Sequence, residues 1–170
     1  MRGPIYRYLA DDHVRLDTLL RKATAVPDRI DPEPYGAFRA GLLKHIAMEE
    51  KVLLPEAARL RGGEALPIAA KLRVDHGAIA ALLVATPTPG IVAALTVVLG
   101  EHNKIEEGPG GLYETCDELA GPAADAIVEK LKHVSEVRVS AYSDGPHVTE
   151  ATSRALARAG FDFKPEDLKE

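Results

Sequence analysis

The stretch that decides the fold is EHNKIEEGPG, residues 101–110, where a helical pattern stops at a Gly-Pro break. His102 and Glu106 are four residues apart, so on a helix they project from the same face. That face also carries Val98 and Ile105, which makes it the apolar face that should pack into a core. Because a buried carboxylate without a partner costs several kcal/mol, this helix needs a compensating group.

The same arrangement occurs a second time in the chain. HIAMEE at 45–50 matches HNKIEE at 102–107, and DDHVRLDTLL at 11–20 matches VDHGAIAALL at 74–83. Each repeat therefore consists of Asp-His followed by His-x-x-x-Glu-Glu. Apolar residues at steps of three and four accompany every histidine of the repeats, as expected for helices that face a core. We interpret the repeats as two helical hairpins of similar design that pack around one axis.

Proline and glycine divide the chain into helical segments, and no segment shows the alternation of a β-strand. We predict an all-α protein, specifically an antiparallel up-down four-helix bundle with an additional C-terminal helix and a tail. The bundle and its fifth helix would occupy residues 1–140, followed by a C-terminal extension at 141–170. The predicted helices are four long ones at 5–24, 35–61 (bent near Pro55), 66–85 and 91–107, a short one at 112–119, a fifth at 122–139 and a last one at 149–159.

The composition narrows the classes of function. The chain has 170 residues and a net charge of −5, and its 21 Lys and Arg are spread along it, which argues against a nucleic-acid partner. The single cysteine excludes a disulfide framework and a thiolate metal cage. The first residues lack the apolar run of a signal peptide, and no apolar segment is long enough to span a membrane. We expect a cytoplasmic monomer or homodimer without membrane contact.

Six ligand-type side chains lie on the four apolar faces, which contain no Lys or Arg to neutralise them. Without a cation the two glutamates would repel each other, so we expect a raised pKa for both carboxyl groups. Hydrogen bonds among the six would leave some groups without a partner, whereas metal ions can satisfy all of them. Imidazole and carboxylate suit iron, and six ligands exceed the needs of one tetrahedral zinc but fit two ions bridged by carboxylates. The candidate ligands are His13, His45, Glu49, His76, His102 and Glu106.

This ordered set resembles the hemerythrin-like (HHE cation-binding) family, and the resemblance covers residues 5–107. The resemblance implies an antiparallel four-helix bundle around a non-haem di-iron centre with an oxo or hydroxo bridge. It also implies a ligand assignment, with one iron on His13 and His45, the other on His76 and His102, and Glu49 and Glu106 as bridges.

The chain departs from the oxygen-carrying hemerythrins at two positions. Ala80 stands where they have a further histidine, and Glu106 stands where they have an aspartate at a slightly wider spacing. One iron would then lack a protein ligand and could bind water, peroxide or another small molecule. We therefore expect catalase-like dismutation of hydrogen peroxide. The alternatives are a module that binds O2, NO or iron for sensing or storage, and a structural bundle.

Residues near the six candidates have more than one interpretation. Asp17, four residues after His13, could be a ligand, an acceptor for His13 or a solvated acid. Asp12 and Asp75 precede candidate ligands and are expected to point away from the centre. The remaining expectations are solvated positions for Glu50 and Glu107, exposure for His133 and His147, and packing roles for Cys116 and Tyr6.

Overall fold

The computed structural model describes residues 1–170 and is all-helical, without a β-strand. Several helices begin with a proline in the first turn, where the missing N–H has no helical partner to lose. The α-helices are α1 (Pro4–Ala23), α2 (Pro32–Met48), α3 (Leu54–Leu60), α4 (Ala69–Leu82), α5 (Pro89–Glu107), α6 (Leu112–Ala120), α7 (Ala124–Lys132) and α8 (Pro146–Arg158). Two 3₁₀ helices follow α6 and α8, at Gly121–Ala123 and Pro165–Leu168.

The helix that carries the opening stretch, α5, has the predicted end at Glu107. It begins at a proline whose preceding residue, Thr88, caps the helix, because the Thr88 hydroxyl accepts a 3.1 Å hydrogen bond from the Ile91 N–H. It stops at Gly108, which precedes Pro109. The prediction of α5 from periodicity and the Gly-Pro break is confirmed.

The second predicted helix is interrupted just before its proline. A π-helical turn, Glu49–Leu53, joins α2 to α3. Pro55 has no N–H to donate to the carbonyl one turn earlier, and its ring crowds that carbonyl, so a wider turn relieves the contact. The sequence predicted a disturbance near Pro55, and the structure places it at Glu49 and the four residues that follow.

The fifth predicted helix is shorter than expected. It ends at Lys132, so the prediction that it reaches Val139 was wrong. The β-branched valines of the segment VSEVRVS, residues 134–140, disfavour a helix. The segment is instead held by Arg39, whose guanidinium donates to the Ser140 carbonyl at 2.9 Å and lies 4.1 Å from the Tyr142 ring centroid.

The apolar core consists of two clusters. The first contains Leu16, Phe38, Ile79 and Leu95, and the second contains Leu9, Leu53, Leu72 and Tyr113, among other residues. Along α1 and α4 the chain passes from the second cluster to the first, and along α2 and α5 it passes in the opposite direction. A histidine lies between the two clusters on each of these four helices, buried on α2, α4 and α5 and partly buried on α1, and two buried glutamates accompany them, so a polar layer divides the core.

The C-terminal residues pack on this core. Val148 and Leu156 of α8 and Leu168 of the last 3₁₀ helix belong to the first apolar cluster. The Leu168 carbonyl accepts a 2.7 Å hydrogen bond from the Thr88 hydroxyl, and the Glu170 carbonyl accepts one from the Gly90 N–H at 2.5 Å. None of the helices combines the length and the apolarity needed to cross a lipid bilayer.

Candidate metal centre

The six side chains predicted as ligands come together in the polar layer. They form two groups whose nitrogen and oxygen atoms lie within 4.8 Å of one another. One group, the His13/His45 half, combines these two histidines with Glu49 and Glu106, and the other, the His76/His102 half, combines its two histidines with the same two glutamates. Both glutamates are fully buried, and the histidines are buried or nearly so.

Each glutamate directs one carboxylate oxygen to each half. For Glu49, Oε1 lies 3.4 Å from His45 Nε2 and Oε2 lies 3.0 Å from His76 Nε2. For Glu106, Oε2 lies 3.3 Å from His13 Nε2 and Oε1 lies 2.7 Å from His102 Nε2. The two carboxylates therefore connect the halves in the manner of bridging ligands.

Three buried atoms in the His76/His102 half have no hydrogen-bond partner. They are Glu49 Oε2, His76 Nε2 and Glu106 Oε1. His76 Nε2 lies 3.0 Å from Glu49 Oε2 and 3.8 Å from Glu106 Oε1, but neither pair is aligned as a hydrogen bond. An orphaned buried polar atom costs about 1–3 kcal/mol, and a cation would satisfy all three at once. The donor set of imidazole nitrogen and carboxylate oxygen fits first-row transition ions.

In each of the four candidate ligand histidines, the ring nitrogen Nδ1 is hydrogen-bonded to a carboxylate outside the centre, and these four groups are the outer carboxylates. A carboxylate can only accept, so Nδ1 carries the hydrogen of the neutral ring and the lone pair of Nε2 faces the centre. Such a bond fixes both the tautomer and the orientation of a ligand histidine. The Nδ1–oxygen distances are 2.5 Å for His13–Glu107, 2.7 Å for His45–Asp12, 2.8 Å for His76–Glu50 and 3.1 Å for His102–Asp75.

These four carboxylates follow the sequence repeat. The aspartate that precedes the first histidine of a repeat binds the second histidine of the same repeat, and the last glutamate binds the first histidine of the other repeat. The expectation that Asp12 and Asp75 point away, and that Glu50 and Glu107 are merely solvated, was wrong. A residue next to a ligand lies about 100° around the helix, which here faces a neighbouring helix instead of solvent.

Positively charged side chains donate hydrogen bonds to three of the four outer carboxylates. Arg15 Nε donates to Asp12 at 2.8 Å, and Arg73 Nε donates to Glu50 at 3.3 Å. Lys71 donates to Asp75, which is buried, and also to the Ala159 carbonyl at 3.0 Å. Burial raises the pKa of Asp75, but hydrogen bonds from His102 and Lys71 outweigh it and lower the pKa.

In the metal-free protein, the neighbouring carboxylates raise the pKa values of the four histidines of the centre. Burial lowers the pKa of His45, but Glu49 and Asp12 outweigh burial and raise it to about 10. The pKa of His76 rises to about 10 and that of His102 to about 9, against the effect of burial, through their carboxylate neighbours. Burial raises the pKa of Glu106, but the surrounding imidazoles hold it well below its usual value. Burial and Glu106 raise the pKa of Glu49, but His45 and His76 outweigh them and lower it. The expectation of raised pKa values for both carboxyl groups was therefore wrong, because it left out the imidazoles.

Tyr113 is a member of the centre that the sequence reasoning missed. It is fully buried on α6, and its hydroxyl donates to Glu49 Oε1 at 2.7 Å and lies 3.1 Å from Glu106 Oε2. The same oxygen lies 3.1 Å from His45 Nε2 and 3.2 Å from His13 Nε2. Burial and the two glutamates hold the pKa of Tyr113 well above its usual value. The sequence feature that could have indicated this residue is its place beside Leu112, on the apolar face of the short segment that follows the Gly-Pro break.

The other residues considered from the sequence lie away from the centre. Asp17 is 58% exposed and pairs with Arg21, which confirms the solvated interpretation. Ala80 is partly exposed on α4. The remaining positions are exposed for His133 and His147 and buried for Cys116 and Tyr6, as expected.

A cavity of about 250 Å³ lies between α1, α2 and α5 and reaches His13. Asn103 contributes to its wall, and the buried Oδ1 of Asn103 has no hydrogen-bond partner. Since one water molecule takes up about 30 Å³ in the liquid, the cavity has room for hydrogen peroxide or a diatomic gas. The apolar part of the wall consists of Leu16, Leu20, Phe38, Leu42 and Leu99.

Comparison of the chain with family models, with curated proteins and with solved structures found no match.

Proposed function

We propose that this protein is a hemerythrin-like metalloprotein that binds two iron ions. The observation that carries the proposal is the pair of buried glutamates, Glu49 and Glu106, each of which directs one oxygen to each half of the centre. Carboxylates shared in this way fit a pair of ions, because a single ion would leave one pair of imidazoles unused. In this assignment His13 and His45 would hold one iron, His76 and His102 would hold the other, and Glu49 and Glu106 would each offer an oxygen to both.

The helices that carry these ligands would form an antiparallel up-down four-helix bundle. In support, α1 and α4 pass from the second apolar cluster to the first, and α2 and α5 pass in the opposite direction. Consecutive helices within each repeat would then run in opposite directions, as their short connections favour. The centre would then lie between the two apolar clusters, which keep bulk water away from both sides.

The proposed reaction is the dismutation of hydrogen peroxide to oxygen and water. The reaction consumes peroxide alone, since one molecule is oxidised to oxygen while another is reduced to water. A bound iron pair would supply the two-electron redox capacity that this exchange requires. The cavity beside His13 has a mainly apolar wall that includes one carboxylate, Asp17, and a small volume, which favours a small uncharged substrate over an anionic metabolite.

The role of the protein residues is to hold and orient the donors. The outer carboxylates fix each imidazole with its Nε2 towards the centre. The buried Glu49 and Glu106 supply negative charge that offsets the charge of the bound cations. The chain therefore needs a cation, or protons in its place, at this layer.

The test is oxygen release from hydrogen peroxide by protein that has been loaded with iron under anaerobic conditions and freed of unbound metal. We expect about two irons per chain and faster oxygen release than from the same amount of free iron. His76→Ala should lose iron and activity together, because it removes one of the donors. His133→Ala is the matched control, since this histidine is exposed and contacts only the Glu129 carbonyl.

The outcomes separate the candidate functions. Oxygen release above the free-iron rate, lost in His76→Ala and kept in His133→Ala, supports peroxide dismutation. If the protein binds two irons but releases no oxygen, the enzyme proposal is rejected in favour of a module that senses or stores O2, NO or iron. A single zinc per chain, with no iron taken up, would overturn the di-iron proposal.

A further inference from the structure

Tyr113 makes contacts in the centre that one hydrogen bond does not account for. Its hydroxyl oxygen lies between 2.7 and 3.2 Å from one donor atom of each of the four residues in the His13/His45 half. We propose that Tyr113 is itself a ligand and supplies a fifth protein donor, a phenolate oxygen, to the ion held in that half. This proposal rests on the proposed function, because it requires a metal ion in the centre.

The distances suit neighbouring ligands of one ion. Nitrogen and oxygen donors lie about 2.1 Å from a first-row or comparable six-coordinate ion, so adjacent donors are about 3 Å apart. The Tyr113 oxygen has this separation from His13 Nε2, His45 Nε2, Glu49 Oε1 and Glu106 Oε2 simultaneously. An oxygen at this distance from all four donor atoms occupies the place of a fifth ligand to the same ion.

A neutral phenol explains the arrangement less well once the histidines bind metal. A phenol has one hydrogen to donate, and Glu49 Oε1, at 2.7 Å, takes it. When His13 and His45 bind an ion through Nε2, the phenol oxygen of Tyr113, which lies within 3.2 Å of both nitrogens, is beside that ion as a further donor. A ligand oxygen of this kind has to be deprotonated, so the phenolic proton passes to solvent when the ion binds.

The fold holds Tyr113 in this position from two sides. Asp117, one turn later on α6, accepts hydrogen bonds from the Ile5 N–H at 2.9 Å and the Tyr6 N–H at 3.0 Å, which ties α6 to the first turn of α1. The Tyr6 ring packs edge-on against the Tyr113 ring, with centroids 6.0 Å apart. The phenol oxygen is therefore directed into the centre by packing that does not involve a metal.

A fifth donor would make the two halves unequal. The His13/His45 half would have five protein donors, whereas the His76/His102 half has two imidazoles and two carboxylate oxygens. The two ions would then differ in their protein ligands, although the sequence repeat gives both halves the same imidazoles and carboxylates.

The experiment is visible absorption and resonance Raman spectroscopy of the iron(III)-loaded protein. A phenolate ligand gives a charge-transfer band in the visible region, and excitation in that band enhances tyrosine ring vibrations. We expect these vibrations in the wild type, and we expect them to shift when the protein is prepared with ring-deuterated tyrosine. This wild-type measurement does not depend on the folding of any variant.

Substitutions show which tyrosine gives rise to the visible band. Tyr113→Phe keeps the buried ring and should lose the visible band while it still binds iron. Tyr6→Phe is the matched control and should keep the band, because Tyr6 is also buried but its hydroxyl donates only to the Glu107 carbonyl. Two bound irons without the band in the wild type would overturn the Tyr113 assignment and leave the di-iron proposal standing. A protein that binds no iron would overturn both.

Discussion

The two halves of the centre have equivalent donors and different surroundings. Each has two imidazoles fixed by outer carboxylates and one oxygen from each glutamate. The His13/His45 half also contacts Tyr113 and borders the cavity, whereas the His76/His102 half contains the three buried atoms without a hydrogen-bond partner. The sequence repeat accounts for what the halves share. An element outside the repeat, α6, accounts for the difference.

The largest loss of bound iron should follow substitution of a residue that belongs to both halves. Glu106→Ala removes one oxygen from each half, so we expect it to reduce iron binding below about one ion per chain. His102→Ala alters only the His76/His102 half and should retain about one ion, held by the other four donors and Tyr113. Elemental analysis after removal of free metal measures both. Equal losses in the two variants would contradict the division into halves.

Removal of metal should make stability depend on pH. The pKa values of His45 and His76 are raised to about 10 in the folded protein, from about 6.5 in an unfolded chain. Their stabilising contribution is complete below the unfolded value and is lost as the pH rises towards 10. Because 1 kcal/mol shifts the melting temperature of a chain of this size by about 2–4 °C, we expect a fall of several degrees between neutral pH and pH 10.

Thermal melts of metal-free and metal-loaded protein across this pH range measure the effect. The loaded protein should melt at a higher temperature, since a ligand that binds only the folded state stabilises it. It should also lose less stability with rising pH, because the ion replaces the imidazole protons. A metal-free melting temperature that is constant from neutral pH to pH 10 would contradict the assignment of protonated imidazoles.

Substitution of the outer carboxylates should lower the metal affinity by a smaller amount. Asp75→Asn and Asp12→Asn weaken equivalent bonds to His102 and His45, and loss of such partners typically lowers metal affinity by about 10–100-fold. Asp75 should have the larger effect, because it is 1% exposed whereas the Asp12 side chain is 15% exposed. Asp11→Asn is the matched control, since Asp11 is the exposed neighbour of Asp12. Competition with a coloured chelator gives the affinities, and a change as large in Asp11→Asn would refute the role of these bonds.

The parts of this centre that could be predicted from sequence are the six candidate ligands, because each lies on the apolar face of its own helix and the repeat relates the helices in pairs. His102 and Glu106 share a face because four residues exceed one turn only slightly, and Gly108 ends α5 wherever the rest of the chain lies. The contact between Asp75 and His102 depends on the distance between α4 and α5, which no local pattern contains. Tyr113 reaches the centre because Asp117 ties α6 to α1 and the Tyr6 ring packs against Tyr113, contacts between residues more than one hundred positions apart.

The same distinction explains the error at the end of α7. The interval from Val134 to Tyr142 has enough apolar residues for a helical face, but its β-branched valines disfavour a helix, and Arg39 donates a hydrogen bond to the Ser140 carbonyl. Local preference gave no information about that partner. The errors in this chain therefore concern segments whose hydrogen bonds lie on distant helices.

The most direct test of the central claim is a crystal structure of the iron-loaded protein, measured with X-rays on either side of the iron absorption edge. We predict two anomalous peaks per chain, one between His13 and His45 and the other between His76 and His102, with Glu49 and Glu106 in contact with both. A single peak shared by the four histidines, or peaks that lie outside the polar layer, would contradict the account.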